Sequence, residues 1–203
     1  MEIDFGTYHH TTQEDSREIR KWILEYFSKL LLSIYDADSN LEILDAGCGL
    51  GFLSSVAANC FPSSKITAVD TFSHESISDS TISKASENMR RMGIEKRVTF
   101  LEHDLREPLK NGKKYDLIIS SLVFHNLGNE RFKVYSHLFE SLKDGGYFVD
   151  GDLFPHWKKD LRFFEEISNV VSVSEPIRAG KSLYNAIDWR KRWVYKVVAL
   201  KKW

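Results

Sequence analysis

Short apolar runs alternate with longer segments of helical periodicity along most of this chain, and this alternation constrains the fold more than any other feature. The first run, residues 41–45, leads through a glycine-rich turn into apolar residues at helical spacing that stop before Pro62. Further strands are predicted at 65–70, 97–102, 115–120, 146–150 and 193–200, and further helices at about 75–92, 130–142 and 156–168. This order predicts an α/β fold, a doubly wound and mostly parallel sheet with helices on both faces.

A separate amphipathic helix precedes the alternation. Apolar residues recur at helical spacing from Ile19 to Ile34, and the pattern Thr11-x-x-Glu14 before them is typical of a capping box. Near the other end, residues 170–188 follow no clear strand or helix period. The sequence therefore predicts a helix before the sheet and leaves the segment before the last strand unassigned.

Length and composition favour one intracellular globular domain. The 203 residues carry 42% hydrophobic and 28% charged side chains with a net charge of -1, which does not require a nucleic-acid partner. No apolar run approaches the roughly 20 residues of a membrane helix, and the first residues lack the character of a secretion signal. We expect a cytoplasmic protein without a membrane partner, in which Cys48 and Cys60 are reduced.

The turn from Asp45 to Gly51 is the first candidate for a binding site. Its glycines let a ligand approach the backbone closely, next to the N–H groups that begin a helix, although a tight connection alone would also use glycines. The bulky Phe52 stands where dinucleotide-binding turns have their last glycine, which disfavours a pyrophosphate. Asp70 ends the next strand, where an acid can bind a ribose diol. These residues indicate a ribose-bearing cofactor without pyrophosphate.

Five motifs in order resemble those of class I methyltransferases that use S-adenosylmethionine. The segment Ile43–Gly51 resembles the family's first motif, and Ala68-Val69-Asp70 resembles its ribose-binding strand end. The later motifs are His103-Asp104-Leu105, Tyr115–Ser121 and Leu142–Val149. The resemblance extends from residue 40 to residue 153 and marks the chain as similar to S-adenosylmethionine-dependent transferases of methyl groups.

The resemblance implies a seven-stranded sheet in the order 3-2-1-4-5-7-6 with an antiparallel strand 7, and S-adenosylmethionine at the carboxyl ends of the strands. It also implies a single domain, with a helical lid at 1–39, a cofactor-binding core at 40–155 and a last helix and strands at 156–203. Asp45 would face the amino-acid part of the cofactor, Thr71 and Phe72 would border the adenine, and Asp104 would contact the adenine amino group. The full set of implied cofactor-binding residues is Asp45, Gly47, Cys48, Gly49, Gly51, Asp70, Thr71, Phe72, Asp104, Leu105 and Ser120.

Candidates for the chemistry at the acceptor follow the fourth and fifth predicted strands. Methyl transfer from a sulfonium is an in-line displacement, which needs a base only when the acceptor must lose a proton. Histidines titrate near neutrality, so His125 is the first candidate base, and Asp152 is the second catalytic candidate. Either residue could instead cap a helix or form a turn. Four candidates for substrate contact are Tyr8, His9, Asn126 and His156.

A metal site is not predicted. His9 and His10 are adjacent, but zinc takes about four ligands, and no Cys/His spacing completes such a set. Ser120 and Ser121 stand where magnesium-dependent catechol enzymes have an acid, by resemblance to that family. The same region lacks the Pro-Pro-aromatic segment of enzymes that methylate nucleobase amines, and it also lacks the nucleophilic cysteine of cytosine-C5 enzymes.

The basic C-terminal tail supports a competing interpretation. From Pro176 to Trp203, eight Lys or Arg residues accompany a single acid, Asp188, with Trp189, Trp193 and Tyr195 among them. Such a stretch could bind RNA, although lysines on a strand edge also prevent unwanted pairing. A further alternative is a module that binds a nucleoside or S-adenosylmethionine without turnover. A small-molecule acceptor is favoured because no inserted substrate domain is visible, and monomer and homodimer both stay open.

Overall fold

The computed structural model describes residues 3–9, 11–73, 77, 80–110, 112–154, 156–175 and 194–203. The first helix, α1, runs from Gln13 to Ile34 and begins with a capping box one residue later than the sequence pattern indicated. Thr12 Oγ1 accepts the N–H of Asp15 at 3.1 Å, and the Asp15 carboxylate accepts the N–H of Thr12 at 3.4 Å. The hydroxyl of Thr11 is instead 2.8 Å from the Tyr8 carbonyl, to which it donates, and 2.7 Å from Ser16 Oγ.

The predicted alternation of strands and helices is confirmed. The elements after α1 are β1 (Glu42–Ala46), α2 (Phe52–Cys60), β2 (Lys65–Asp70), α3 (Ile82–Arg91), β3 (Val98–Glu102), β4 (Tyr115–Ser121), α4 (Arg131–Ser141), β5 (Leu142–Phe154), α5 (Trp157–Ile167), β6 (Asn169–Val173) and β7 (Val194–Lys201). The seven strands form one sheet in the order β3-β2-β1-β4-β5-β7-β6. Strands β1 to β5 are parallel where they pair, and β7 runs antiparallel to both β5 and β6. The expected fold class is therefore observed.

Several element boundaries differ from the sequence predictions. Helix α3 begins at Ile82, after the N-cap Thr81, and not near Glu75. Residues 74–76 and 78–79 of the predicted helix lie outside the described residues, and Ile77 forms a single β-bridge with Tyr8. Strand β5 is longer than predicted because both of its edges are paired, with β4 on one side and β7 on the other. The first residues of the unassigned segment 170–188 belong to β6. Its residues after 175 lie outside the described residues.

Two apolar clusters cover the two faces of the sheet. Ile23 and Phe27 of α1 are fully buried against one face together with α2. On the other face, Tyr135 of α4 and Phe164 of α5 pack with Phe148 of β5, and all three are fully buried. Burial of each such side chain contributes about 1.5–3 kcal/mol, so the sheet forms a rigid base for the loops at its edge. No helix within the described residues is long and apolar enough to cross a membrane.

The topology brings the candidate site residues to one edge of the sheet. The parallel strands β1, β2, β4 and β5 all end at this edge, and the antiparallel β7 begins there, since its Val194 pairs with Phe154 at the end of β5. The connection from β1 leads to β2 on one side of it, and the chain after β3 crosses back to β4 on the other side. Such a switch point opens a crevice between the loops, where open α/β sheets bind ligands.

Candidate functional site

A cavity of about 350 Å³ lies at this crevice. Its walls come from the glycine turn after β1, the loops after β2 and β3, and the loop after β4, with Tyr8 added from the N-terminal segment. The volume lies within the range of about 300–1,000 Å³ typical of small-molecule sites. Eight predicted site residues line it: Tyr8, Gly47, Gly49, Asp70, Thr71, Asp104, Leu105 and Asn126.

The glycine turn has a backbone that other residues adopt only at a cost. Gly47, Gly49 and Gly51 have φ values of 80°, 51° and 85°. The N–H groups of Gly47 and Cys48 both donate to the Val69 carbonyl, at 2.8 and 3.0 Å, which fixes the turn to the end of β2. A side chain at Gly47 would place its Cβ only 2.3 Å from a methyl carbon of Val123. The turn therefore packs directly against the loop that follows β4.

Asp70 is held by backbone donors and lines the cavity. Its Oδ2 accepts the N–H of Gly49 at 2.8 Å, and its Oδ1 accepts the N–H of Phe72 at 2.9 Å. Phe72 has a φ of 52°, a left-handed conformation that costs a non-glycine residue about 1–2 kcal/mol. A carboxylate offers about four acceptor positions, so two stay available for ligand hydroxyls. This arrangement is compatible with the predicted ribose contact, which stays a prediction.

Asp45 lies beneath the turn and does not line the cavity. It is 1% exposed, and its Oδ2 accepts a hydrogen bond from Ser54 Oγ at 2.6 Å. Burial raises the pKa of Asp45 to about 7, although the hydrogen bonds from Ser54 oppose that rise. The carboxyl group is therefore poised to gain or lose its proton near neutral pH. Cys48 and Gly51, also predicted to contact the cofactor, lie outside the cavity wall.

Asp104, the predicted partner of the adenine amino group, is already paired. Arg106 approaches both carboxylate oxygens, with Nε at 3.0 and 2.9 Å and Nη2 at 2.5 Å from the nearer one. The hydrogen bonds from Arg106 lower the pKa of Asp104. Both side chains are partly exposed, so the pair contributes little stability. Arg106 lines the cavity as well, and it would have to share Asp104 with any bound adenine.

His125 and Asp152 form a buried pair at the ends of β4 and β5. His125 Nδ1 lies 2.6 Å from Asp152 Oδ1, and Asp152 is 1% exposed. The other oxygen of Asp152 accepts the backbone N–H groups of Phe124 and His125, at 2.6 and 3.2 Å. These bonds cap the 3₁₀ segment Phe124–Glu130, so the carboxylate has a structural role whatever its chemical one. Neither residue lines the cavity, although their neighbours Val123 and Asn126 do.

Asp150 shares the buried face of β5 with Asp152 but lacks comparable partners. Tyr135 donates to its Oδ2 over a long 3.4 Å, and its Oδ1 has no hydrogen-bond partner. Burial, reinforced by the charge of Asp152, raises the pKa of Asp150 well above its ordinary value. The two acids are two residues apart in an extended strand, so their side chains lie on the same side of it.

Four further predicted site residues do not line the cavity: Phe72, Ser120, His9 and His156. Ser120 is fully buried and donates to the Ala46 carbonyl at 2.8 Å, which links β4 to β1. The next residue, Ser121, lines the cavity instead, because successive side chains of a strand point to opposite faces. His9 and His156 are exposed, and His156 occupies the N-cap position of α5.

Sequence reasoning missed several cavity residues. Besides Ser121 and Arg106, the wall includes Leu122 and Val123 of the loop after β4 and Ile77 from the loop after β2. Leu122 has a φ of 60°, a strained conformation for a leucine that sequence patterns cannot reveal. Only the position of Ser121 at the end of a predicted strand was a signal that could have identified it.

The basic tail is described only in part. Residues 176–193, with five of the eight tail cations, lie outside the described residues. Lys196 is 8% exposed and donates to the Ser174 carbonyl at 2.7 Å, and Lys202 donates to the Leu142 carbonyl at 2.8 Å. These two lysines serve internal contacts, so an RNA-binding face stays a prediction for the remainder. Within the described ranges, no three His, Cys, Asp or Glu side chains group as a metal site would require.

Comparison with known proteins identifies the family. A family profile described as a methyltransferase domain matches residues 37–196. A malonyl-[acyl-carrier protein] O-methyltransferase of Ilyobacter polytropus is 30% identical over 164 residues, which cover 80% of this chain and 57% of that protein. A ubiquinone biosynthesis O-methyltransferase of Rickettsia canadensis is 33% identical over 107 residues, which cover 52% of this chain and 40% of that protein.

A solved structure supports the same assignment at the level of fold. The N-methyltransferase NodS of Bradyrhizobium japonicum, crystallised with S-adenosyl-L-homocysteine, superimposes with a TM-score of 0.61 at 15% identity, covering 95% of this chain and 98% of that one. The chain spans about half the length of the curated relatives that it matches. The chain belongs to the class I methyltransferases that use S-adenosylmethionine, because the family profile matches most of its length and its sheet has the strand order of that class.

Proposed function

We propose that the protein transfers the methyl group of S-adenosylmethionine to an oxygen or nitrogen atom of a small molecule by in-line displacement. The observation that carries this proposal is the shared cavity. The glycine turn and Asp70 form its one side, and Ser121 and Asn126 form the other, so a donor and an acceptor could meet within one enclosed space. Alignment of two bound reactants supplies much of the rate enhancement in a transfer of this kind.

The cofactor-binding residues follow from the same geometry. Gly47 and Gly49 would lie against the amino-acid and ribose portions of S-adenosylmethionine, and the open acceptor positions of Asp70 would bind the ribose hydroxyls. Thr71, Asp104 and Leu105 line the wall where the adenine is expected. The bound cofactor supplies an activated methyl group on a sulfonium, and the protein supplies its orientation.

The His125–Asp152 pair favours an acceptor that must lose a proton. Asp152 lies 2.6 Å from Nδ1 of the imidazole, and in the tautomer that donates from Nδ1 the basic nitrogen of the ring is Nε2. Such a base helps a hydroxyl or a protonated amine, whereas a carboxylate acceptor is already ionised at neutral pH. The pair therefore supports hydroxyl acceptors over the malonyl carboxylate that the first relative's name implies.

Tyr8 and the segment around it are proposed as a lid over the cavity. Tyr8 lines the cavity and forms a β-bridge with Ile77, and its backbone N–H donates to Ser16 Oγ at 3.0 Å. The remainder of the chain, from β1 to β7, forms one continuous sheet that we propose to be a single domain.

Two experiments, done one after the other, test the use of the cofactor and then the class of the acceptor. Calorimetry with S-adenosylhomocysteine tests the cofactor site first, and absence of measurable heat would refute the proposal. Transfer of a labelled methyl group from S-adenosylmethionine is then measured with a phenolic acceptor, with a malonyl thioester and with mixed RNA. We expect turnover of the phenol, whereas preferential labelling of RNA would support the basic tail as the substrate site instead.

A further inference from the structure

Gly151 of β5 leaves space for a side chain from the neighbouring strand. Its φ lies outside the left-handed region, so the backbone itself does not require a glycine. A Cβ at this position would lie 2.5 Å from Tyr195 Oη and 2.9 Å from a ring carbon of Phe27. A glycine weakens the interior of a strand, and it often marks a place where another group comes close to the backbone. The phenol of Tyr195 is the group that comes closest here.

The space at Gly151 lets Tyr195 reach across β5 to β4. In the sheet, Ser121 of β4 pairs with Gly151, and Tyr195 of β7 pairs with Leu153 on the other side of β5. Tyr195 Oη nevertheless lies 3.4 Å from Ser121 Oγ. Two hydroxyl groups from strands that are not neighbours thus meet over a glycine, and a larger residue at position 151 would separate them.

The ring of Tyr195 is held firmly in this position. Tyr195 is 3% exposed, and its ring packs edge-on against Trp22 of α1 with the ring centres 5.4 Å apart. Trp22 in turn stacks on Tyr26 at 5.3 Å. Aromatic contacts of this kind add stability beyond the burial of area. Burial is the main cause that raises the pKa of Tyr195 well above its ordinary value, so the phenol stays protonated and can donate a hydrogen bond.

The contact between the two hydroxyl groups is longer than a good hydrogen bond. A buried tyrosine hydroxyl usually has a hydrogen-bond partner. Among the described residues the partner of Tyr195 is Ser121, at a distance beyond the usual range of about 2.5–3.0 Å. Ser121 lines the cavity. A serine hydroxyl has one donor and two acceptor positions, so Ser121 can bind an atom in the cavity while Tyr195 donates to it from behind.

The backbone next to Ser121 is strained and is fixed to the same glycine. Leu122 has a φ of 60°, and its N–H donates to the Gly151 carbonyl at 2.9 Å. A leucine keeps this conformation only where the surrounding structure imposes it, and such strain is common at ligand sites. The open space at Gly151, the strained Leu122 and the buried phenol of Tyr195 therefore all fix the position of Ser121 at the cavity wall.

We infer that Ser121 binds a second hydroxyl group of the acceptor, close to the atom that receives the methyl group, and that Tyr195 is a positioning residue that orients Ser121. A hydroxyl group can use either the donor or the free acceptor position that Ser121 keeps. The cavity of about 350 Å³ also has to hold the donor, so the two groups of the acceptor must lie close together. This inference rests on the proposed function and narrows its acceptor to small molecules with two hydroxyl groups.

Four small phenols test for the second hydroxyl group. Phenol has one hydroxyl, and the three benzenediols add a second one at the ortho, meta or para position. Calorimetry measures the affinity of each compound for the chain saturated with S-adenosylhomocysteine. We expect at least one benzenediol to bind about fivefold better than phenol, the size of one net hydrogen bond. In the transfer of a labelled methyl group, that diol should have a correspondingly lower KM.

Variants separate the contributions of the two hydroxyl groups. Ser121→Ala should remove the preference for the diol, and Tyr195→Phe should reduce it to about twofold, because Ser121 is then present but not oriented. The double variant should match Ser121→Ala, since Tyr195 acts through Ser121. Tyr147→Phe removes a phenol hydroxyl at the other end of β5, where Tyr147 pairs with Lys201, and should retain the full preference. Melting temperatures show whether each variant is folded.

The affinities for phenol and for S-adenosylhomocysteine decide between the remaining explanations. Both should stay within about twofold of wild type in all variants. If Tyr195→Phe weakened phenol and the diols equally, Tyr195 would be structural and the inference would be wrong. If Ser121→Ala weakened S-adenosylhomocysteine and kept the diol preference, the hydroxyl pair would belong to the cofactor site, and the inference would be overturned.

The wild-type chain alone distinguishes failure of this inference from failure of the proposed function. If it bound S-adenosylhomocysteine but no benzenediol better than phenol, the acceptor half would have no place for a second hydroxyl group, and the inference would be wrong while the cofactor site stood. If it gave no heat with S-adenosylhomocysteine, the proposed function would fail first.

Discussion

Two halves of the site are built from different kinds of contact. The donor half lies at the ends of β1, β2 and β3, and the acceptor half lies at the ends of β4 and β5. In the donor half, backbone N–H groups of Gly49 and Phe72 hold the carboxylate of Asp70. In the acceptor half, the side chains of His125 and Asp152, which are 27 residues apart, hold each other. A site built from backbone keeps its ligand when side chains change, whereas a site built from side chains can acquire a new acceptor by substitution.

The largest effect is expected from a change that affects the acceptor half alone. His125→Ala removes the proposed base and should lower turnover of a hydroxyl acceptor about 100- to 1,000-fold, the usual contribution of general base catalysis. Its affinity for S-adenosylhomocysteine should stay within about twofold, because Gly49 and Asp70, which are expected to bind the cofactor, lie at the ends of other strands. Initial rates at saturating cofactor, together with calorimetry, measure the two quantities separately.

His137 provides the control for this prediction, since it lies within α4 and not at the end of β4 or β5, where the acceptor is expected, and His137→Ala should preserve turnover. Unchanged turnover in His125→Ala would mean that the pair with Asp152 only caps the 3₁₀ segment. The proposed difference between the two halves would then be wrong, because neither half would contain a side chain that takes part in the reaction.

A change in the donor half should lower the affinity for the cofactor, which the change in the acceptor half leaves unaltered. Gly47→Ala would put a Cβ 2.3 Å from a methyl carbon of Val123 at a φ of 80°, so the turn must shift. Turnover should fall about 100-fold, the effect that displacement by about 1 Å has on rate at a positioned site, and affinity for S-adenosylhomocysteine should fall with it. Gly93→Ala shares the positive φ of 69° but meets nothing within 4 Å. It should lower only the free energy of unfolding, by about 1–2 kcal/mol, and equal affinity loss in both would contradict the prediction.

The same difference in construction explains what the sequence could predict. The donor half depends on residues close together in the chain, and the glycines from Gly47 to Gly51 and the strand-end Asp70 were recognisable by spacing. The strand order followed from the resemblance and is confirmed. The acceptor half depends on packing between distant segments, so no local pattern could show that His125 meets Asp152 or that Ser121 replaces Ser120 at the cavity wall.

Residues that act through burial were equally invisible in the sequence. The helical period placed Arg20 among ordinary charged residues of α1, and only the folded chain buries it beneath Tyr8. The start of α3 was also predicted too early, because the apolar and polar spacing before Thr81 resembles a helix while Ile77 pairs with Tyr8. Tertiary contacts override local preference at both places.

Substitutions of Asp70 show how much cofactor affinity the donor half keeps when only its backbone groups are left. Asp70→Ala removes the acceptor for two N–H groups and for the expected ribose hydroxyls, so affinity for S-adenosylhomocysteine should fall at least about tenfold. Asp70→Asn keeps one acceptor oxygen and should lose less. Calorimetry of the two variants measures the difference, and an unchanged affinity in Asp70→Ala would remove this residue from the cofactor site.

Asp45 gives the donor half a dependence on pH. Its pKa, raised by burial to about 7, means that the carboxylate expected opposite the cofactor's ammonium is mostly protonated at pH 6. Because the ammonium favours the ionised form, affinity for S-adenosylhomocysteine should rise about tenfold between pH 6 and pH 8. Asp45→Asn should remove this rise. His103 also lines the cavity, so the experiment is repeated with the His103→Gln variant. If that variant had no pH dependence of affinity, the dependence would be caused by His103 and not by Asp45.

Asp150 is the acceptor-half counterpart of Asp45, buried to the same degree but with poorer hydrogen bonds. Ser54 donates to Asp45 at 2.6 Å, whereas Tyr135 approaches Asp150 only to 3.4 Å, and one oxygen of Asp150 has no partner. No described contact gives Asp150 a reason to be ionised. Its raised pKa should therefore be seen in the stability of the fold and not in ligand binding.

The smallest effect is expected from Asp150→Asn. A carboxyl group with a folded pKa above its unfolded value gives stability that is complete below about pH 4 and is lost as pH rises toward the folded pKa. The asparagine variant does not titrate, so its advantage in melting temperature should grow from pH 5 to pH 8, by about 2–4 °C for each kcal/mol in a chain of this length. Cofactor affinity should be unchanged. A constant difference between the two proteins across this range would mean that Asp150 is ionised in the fold, and that the acceptor half contains a partner for its charge beyond Tyr135.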